Sequence, residues 1–372
     1  MAVNKARDIS AALRRDIEGG KFDKTGKLPS EHQLMRRFAV ARETVRTALR
    51  DLAASELVEA KPGYGTLIRE RATERAAERF GVVVPDAFHP FYQRICRGVE
   101  EAAKKRKWTL LTPSLGTGSM KERAVKAVEF AEVCVREKVC GVFLQPLQFL
   151  TDDVAFNRSL LSIFDNARIP VVLLDSDFLM PPMRSRYDLV GVDNLGVGWT
   201  LGRHLADAGA RRIAYFTNPH PAPSSLNRGN GLATAVVDAG LKWSRDSVII
   251  GDPRDKDLVK RLVTGRNRVD AFIAVNDWIA GILERTLLSI GVKIPDDVML
   301  AGVNGDAESE SAAIPITTVR QPCHEIGMAA VTLMAMRMSD IAAPAREVKL
   351  AAEMIVRQST TRAGHPGLGS RK

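Results

Sequence analysis

The chain runs to 372 residues with 45% apolar side chains, enough to fill the cores of two or three domains. Lys and Arg outnumber Asp and Glu 54 to 44, and residues 1–75 carry five of the ten surplus positive charges, which predicts a polyanionic partner for the N-terminal module. No stretch approaches the ~18–20 apolar residues of a membrane span, and the start lacks the apolar core of a signal peptide. Four cysteines without C-x-x-C spacing argue for a reducing cytoplasm rather than a disulfide framework.

Ile9, Leu13 and Ile17 recur every four residues, predicting an amphipathic helix that ends near Gly19-Gly20. Ser30 with Gln33 three positions on reads as a capping box opening a short second helix. A third helix is expected from about Arg42 to Ser55, burying Val45, Leu49 and Leu52. Leu57–Lys61 and Tyr64–Ile68 flank Pro62-Gly63, a hairpin pattern. Three helices and a hairpin, in that order, make a winged helix-turn-helix spanning residues 1–68.

A charged stretch at 69–78 reads as a solvated linker. From Phe80 onward short apolar runs alternate with amphipathic segments: FGVVV, WTLL, CGVFL, PVVLL, RIAYF, SVII, VDAFIAV and DVMLAGV. Such alternation predicts an α/β fold of mostly parallel sheets flanked by helices, and its length over residues 79–360 predicts two lobes. VKLAAEMIVRQS is expected as a last strand and 361–372 as a tail.

In a helix-turn-helix the start of the second motif helix reads base edges while phosphate contacts position the protein. Here that start carries Arg42, Glu43, Thr44, Arg46 and Thr47. Arg can pair bidentately with guanine, worth roughly 1–3 kcal/mol of discrimination. Arg50, one turn on, reaches phosphate more readily, and the wing offers Lys61, Gly63 and Tyr64. The competing reading makes the three arginines a solvated face, paired to Asp51 or Glu43.

The segment resembles the GntR family of bacterial transcription regulators, through LPSE at 28–31, VARETVRTALRDL at 40–52 and GYGT at 63–66. The resemblance covers about residues 7–68 and implies DNA contacts from His32, Arg42, Glu43, Thr44, Arg46 and Gly63. His32 stands where the family commonly has Arg, and Glu43 where it has Ser or Thr, which implies a divergent operator. Ala41 replaces the usual Ser cap, at a cost of roughly 0.5–2 kcal/mol of helix stability.

In open α/β sheets, ligands bind beyond the carboxyl ends of the strands. Asp86, Gln145, Asp175, Asn276, Asp277 and Asn304 each follow a predicted strand, with Phe88, Phe91, Tyr92 and Trp278 close by in sequence. This mixture suits a small polar ligand with an apolar face, such as a sugar or nucleobase. The competing reading gives Asp193 and Asp277 to helix caps and the aromatics to the core.

This half resembles the LacI/GalR effector domain, built like periplasmic sugar-binding proteins. The matching motifs are VDNLGVGWTLGRHLADAGARRIAYF at 192–216, NRGNGL at 227–232, NDWIAG at 276–281, GVKIPDDVMLAGVN at 291–304 and ITTVRQPCHEIG at 316–327. The resemblance implies that Arg228 binds ligand, that Asn276 and Asp277 form the family's Asn-Asp pair, and that Phe91 or Tyr92 stacks on the ligand. Asn304 replaces a ligand-gripping Asp, losing a charge-assisted bond. The whole arrangement resembles the arabinose-repressor subgroup of GntR regulators. It implies a cytoplasmic homodimer binding double-stranded operator DNA and a small effector, by default a repressor released by that effector, with no cofactor, metal or membrane association.

Two rival readings remain. GVGWTLG at 196–202 superficially suggests a nucleotide loop of an enzyme, but the G-x-G-x-x-G spacing is missing. Six histidines show no metal-ligand spacing, and no cofactor-binding lysine motif of an aminotransferase half is found. The other rival is a DNA-binding protein whose pocket has lost its ligand.

Overall fold

A computed structural model of the chain describes residues 2–18, 21–22, 26–55, 57–61, 64–68, 78–113, 115, 118–148, 150 and 152–362. The expected helix end at Gly19-Gly20, the turn Pro62-Gly63, residues 69–77 of the linker and 363–372 of the tail lie outside the described residues. The chain divides into two compact units, Met1–Ala77 and Glu78–Lys372.

In the first unit Ala2–Glu18 form α1, Glu31–Phe38 α2 and Arg42–Ala54 α3, followed by strands β1 (Val58–Lys61) and β2 (Gly65–Ile68). The capping box forms as read. Ser30 Oγ accepts from the Gln33 amide, and Gln33 Oε1 accepts from the Ser30 amide at 2.9 Å. Ala41 opens α3 without a side-chain cap. Ile9, Leu13, Leu34, Val45, Leu52 and Val58 are buried together, while Leu49 is only partly covered. β1 and β2 pair antiparallel with Lys61 opposite Gly65, and Lys27 bridges to Leu67 on the other side of β2.

The second unit holds two parallel sheets. Its first lobe runs β3 (Arg79–Val83), α4 (Pro90–Lys105), β4 (Thr109–Leu111), α5 (Met120–Arg136), β5 (Gly141–Leu144), α6 (Asp153–Asn166), β6 (Val171–Asp175) and β7 (Asp188–Val192). The chain then builds the second lobe with α7 (Asn194–Asp207), β8 (Ile213–Thr217), α8 (Pro223–Asp238), β9 (Val248–Ile250), α9 (Lys256–Val263), β10 (Ala271–Ala274), α10 (Asp277–Ser289), β11 (Met299–Asn304), α11 (Ala307–Ser311) and β12 (Thr317–Arg320). Helix α12 (Cys323–Ser339) and β13 (Glu347–Leu350) return to the first lobe, and β14 (Glu353–Ile355) ends in the second. The strand orders are β13-β7-β6-β5-β3-β4 and β14-β12-β11-β10-β8-β9. Three segments therefore join the lobes, at 192–194, 320–323 and 350–353.

Six of the eight apolar runs are buried strands, because helices on both faces leave them no solvated side, while β4 and β9, at the sheet edges, stay partly exposed. Two expectations change. VKLAAEMIVRQS is not one strand: β13 pairs parallel with β7, and β14 pairs antiparallel with β12 in the other sheet. Strands β7 and β12 interrupt stretches without a long apolar run.

Each lobe contains one helix pair brought to backbone contact by glycines. A Cβ on Gly98 of α4 would lie 1.9 Å from the His324 carbonyl of α12, and one on Gly327 would lie 2.1 Å from the Ile95 carbonyl. In the second lobe a Cβ on Gly198 of α7 would lie 1.9 Å from the Arg228 carbonyl of α8, and one on Gly231 would lie 1.9 Å from that of Leu195. Gly198 and Gly202 of GVGWTLG thus serve helix packing, which removes the reason to see a nucleotide loop there.

Candidate DNA-recognition face and ligand cleft

Helix α2 organises the start of α3 through one carboxylate. Arg42 Nε donates to Glu31 Oε2 at 2.7 Å and Arg46 Nε donates to Glu31 Oε1 at 3.2 Å. These bonds, the one from Arg42 foremost, hold the Glu31 carboxyl below its ordinary range. Both guanidiniums stay exposed, at 65% and 50% of their side-chain surface, so they are oriented without being buried. One turn on, Arg50 pairs with Glu43 at 3.0 Å, the solvated pairing that had been the rival for this arginine. Thr47, half-buried, donates its hydroxyl to the Glu43 carbonyl at 2.9 Å. His32 is exposed and Thr44 half-buried on the same two helices.

On the wing, Tyr64 is 67% exposed, and the ammonium groups of Lys27 and Lys61 lie 5.7 and 5.8 Å from its ring centre. Gly63 lies outside the described residues. Glu31 and Lys27 were missed in the sequence reading. Glu31 was legible only as the last letter of LPSE, because its partners lie eleven and fifteen residues away.

In the second unit a cavity of about 300 Å³ opens between the lobes. Of the residues named from sequence, Asp86, Phe91, Tyr92 and Asp175 line it from the first lobe, and Arg228, Asn276 and Asn304 from the second. Asp175 ends β6 with φ +63° and Asn304 ends β11 with φ +123°, conformations that cost side-chain-bearing residues and concentrate at functional sites. Burial pushes the Asp175 carboxyl up to about 6, against the opposing pull of the Arg228 charge and a long Gln145 contact. Burial also raises the Tyr92 phenol, and the charges of Asp175 and Asp86 add to it.

Arg228 is fixed from below. Its Nη1 donates to the Val275 carbonyl at 2.5 Å and its Nη2 to Asn194 Oδ1 at 2.9 Å. Asn304 donates to Asp306 Oδ2 at 3.0 Å and accepts from Gln321 Nε2 at 2.9 Å. Asn276 caps α10 by accepting from the Ile279 amide at 2.9 Å. Asp86 faces Arg123 at 3.3 Å, and Arg123 also donates to the Pro85 carbonyl.

Of the candidates named from sequence, Asp277, Gln145, Phe88 and Trp278 do not line the cleft. Asp277 is fully buried, accepting from the Thr318 hydroxyl at 2.7 Å and the Asp306 amide at 2.8 Å, with burial pushing its carboxyl up to about 6. It ties α10 to β12 behind the cleft lining, and the cap of its helix is Asn276. Gln145 sits behind Asp175, its Nε2 at 3.5 Å from that carboxylate. Phe88 and Trp278 are exposed and outside the lining, Trp278 lying under the Arg254 guanidinium. Asp193 stands at the cap position of α7 without making a side-chain bond to it.

The cleft instead recruits His89, Arg123, Gln148, Asn218 and Gln321, none of them read from sequence. Among the described residues, Gln148 Nε2, Arg228 Nε and Gln321 Oε1 are buried polar atoms without a hydrogen-bond partner. Leaving such atoms bare costs roughly 1–3 kcal/mol each, and all three belong to residues of the cleft lining.

Residues 5–68 match the bacterial regulatory proteins of the gntR family, and residues 203–360 match the periplasmic binding protein-like domain. The chain thus joins a gntR-type winged helix-turn-helix to a two-lobed, periplasmic-binding-protein-like domain. It is 24% identical over 328 residues to the arabinose metabolism transcriptional repressor of Geobacillus stearothermophilus, covering 86% of each chain. It is 26% identical to the HTH-type transcriptional regulator DegA of Bacillus subtilis, over 78% of this chain and 82% of that one. In fold it resembles the transcriptional regulator CelR in its cellobiose complex, with a TM-score of 0.64 at 23% identity over 86% of this chain and 91% of that chain. No helix among the described residues is long and apolar enough to cross a membrane.

Proposed function

We propose that this protein is a ligand-responsive, DNA-binding transcription regulator, a homodimeric repressor of the cytoplasm that leaves its operator when a small polar effector occupies the interlobe cleft. The observation that carries the reading is the set of unpartnered buried atoms on Gln148, Arg228 and Gln321, three residues that line one cleft between two lobes joined by three short segments. Donors and acceptors interleaved in this way suit hydroxyl groups, which both give and take a hydrogen bond. A relative named for arabinose metabolism, and a fold neighbour solved with cellobiose, support a sugar as the effector class.

DNA recognition falls to α3. Arg42 and Arg46 are the base readers, Glu43, Thr44 and Thr47 flank them, and Arg50, His32, Lys61, Gly63 and Tyr64 supply phosphate and wing contacts. An effector shifts DNA affinity only through its different affinity for two states, typically about 1–3 kcal/mol of coupling. A dimer reading half-sites one helical turn apart converts small changes in head spacing into lost contacts.

The test is to select operator fragments with the full-length protein and then titrate sugars into the complex, following fluorescence anisotropy. Release by at least one sugar is expected. A protein that binds no duplex selectively overturns the DNA reading. Specific binding that no sugar or nucleoside alters, with no ligand raising the melting temperature, leaves a dimerising DNA-binder with an unused pocket.

A further inference from the structure

A second cavity, of about 270 Å³, adjoins the cleft, and the two share Asp175 and Ser224 in their walls. Its floor is β7 and the segment leading into α7, and one wall comes from the stretch Leu179–Arg184. The opposite wall is the first turns of α8, with Pro223 and Asn227. Met183 and Leu195, both large apolar side chains, are 63% and 49% exposed on it, an unusual placement for such residues in a concave surface.

We propose, building on the reading of the cleft as an effector site, that this outer cavity is a second subsite and that the effector is a neutral two-ring glycoside, such as a disaccharide. Three features argue for it. Asp175 and Ser224 line both spaces, so a guest in one lies next to the other. Each alone sits at or below the lower bound of the ~300–1,000 Å³ typical of ligand sites, so together they suit a guest larger than one ring. Pro181, Pro182 and Met183 give an apolar platform of the kind that covers the C–H face of a sugar ring, while Asp193 and Asn227 stand opposite as hydrogen-bonding groups.

The charges select against an anion. Arg184 is bonded to Asp177 and shares Glu347 with Lys349, at 3.5 and 3.6 Å, so the cations of this cavity are already neutralised. Asp193 carries a carboxylate without a hydrogen bond among the described residues and Asp175 a second acidic group. Hydroxyl donors fit there, whereas a phosphate would meet uncompensated negative charge.

Calorimetric titration of the full-length protein with glucose, arabinose, xylose, glucose 6-phosphate, cellobiose, maltose and lactose tests this. At least one disaccharide is expected to bind tenfold or more tighter than its component monosaccharides and any phosphate. Asn227→Phe, which fills the outer cavity, is expected to erase that advantage while leaving monosaccharide binding within twofold. Met183→Asp gives the same readout should Asn227→Phe lower the melting temperature. A monosaccharide or sugar phosphate binding as tightly as every disaccharide, or a folded variant in either position that leaves the disaccharide advantage intact, overturns the second subsite and leaves the effector cleft standing. Absence of binding by all seven sugars overturns this inference and the sugar class with it, whereas the effector reading itself falls only if nucleosides also fail to bind.

Discussion

Asn304 Nδ2 lies 3.0 Å from Asp306 Oδ2, so the amide in the cleft wall is a donor to a buried carboxylate two residues on. The other oxygen of Asp306 accepts from Arg94 Nη2 at 2.7 Å, an ion pair that joins α4 of the first lobe to the loop after β11 in the second. A carboxylate at position 304, as in LacI/GalR-like effector domains, would face Asp306 with no proton between them. Asn304→Asp should therefore cost about 1–3 kcal/mol at neutral pH. Like charges raise the folded pKa of one acid of the pair, so stability is whole below about pH 4 and is lost as pH rises through that raised value. Urea midpoints of variant and native protein from pH 4 to 8 check this. Equal midpoints at pH 8 would show that the Asn is not required by its neighbour.

Asp175 gives a second pH dependence, one present in the native protein. Its carboxyl is pushed up to about 6 by burial, well above the ~3.9 of an unfolded Asp. The unfolded chain releases this proton first, so Asp175's contribution is full below about pH 4 and lost by about pH 6. Asp175→Asn should gain stability relative to the native protein across that window and run parallel to it above pH 7. A difference that does not change between pH 4 and 6 would place the ionised form in the resting protein throughout.

Arg42→Ala and Arg46→Ala should each weaken operator binding roughly tenfold or more, the loss of one base contact. Both are exposed ion pairs with Glu31, worth about 0–1 kcal/mol, so melting should scarcely change. Anisotropy titrations with an operator duplex and a scrambled duplex separate the effects. A loss shared equally by both duplexes would reassign the arginines to phosphate.

What was legible from sequence followed from local rules. The Ser30–Gln33 box and the β1–β2 pairing depend on residues within a few positions of each other, and strands buried on both faces announce themselves as apolar runs. β12 did not, because Thr317, Thr318 and Arg320 interrupt the pattern and the two threonines are buried only by what packs on them. At the site, the strand-end rule found Asp175, Asn276 and Asn304 but could not separate Asn276 from Asp277. The helix begins between them, and adjacent helical positions turn about 100° apart, so one faces the cleft and the next faces Thr318. Gln148, Asn218 and Gln321 lie in connecting segments whose path only the tertiary fold defines.

Arg228→Ala should abolish the ligand response and leave ligand-free operator binding intact. It should also lower stability by about 1–3 kcal/mol for each group it strands, since the Val275 carbonyl and Asn194 Oδ1 both lose their donor. Comparing ligand titration with urea unfolding distinguishes the two effects. A variant that unfolds like the native protein yet ignores ligand would mean that Arg228 is spent on the guest alone. Retained response at native ligand concentration would move the site elsewhere.

Two helical glycines make opposite predictions for the same substitution. Gly281 lies inside α10, where an added Cβ meets nothing nearer than the Arg285 guanidinium at 3.5 Å. Gly281→Ala should stabilise the protein by about 0.5–1 kcal/mol, because Ala loses less backbone entropy in a helix. Gly198 is also helical, and Ala has the same intrinsic advantage there. Its Cβ, however, would stand 1.9 Å from the Arg228 carbonyl and 2.9 Å from the Leu232 amide nitrogen, so α7 and α8 must separate. Backbone cannot rotate away as a side chain does, and a net cost of about 2 kcal/mol or more is expected. Because the displaced carbonyl belongs to Arg228, ligand affinity should fall along with the melting temperature. Gly198→Ala melting at or above the native temperature would show that the two helices are not held at backbone contact, and with that the support for Arg228 in the cleft would be lost.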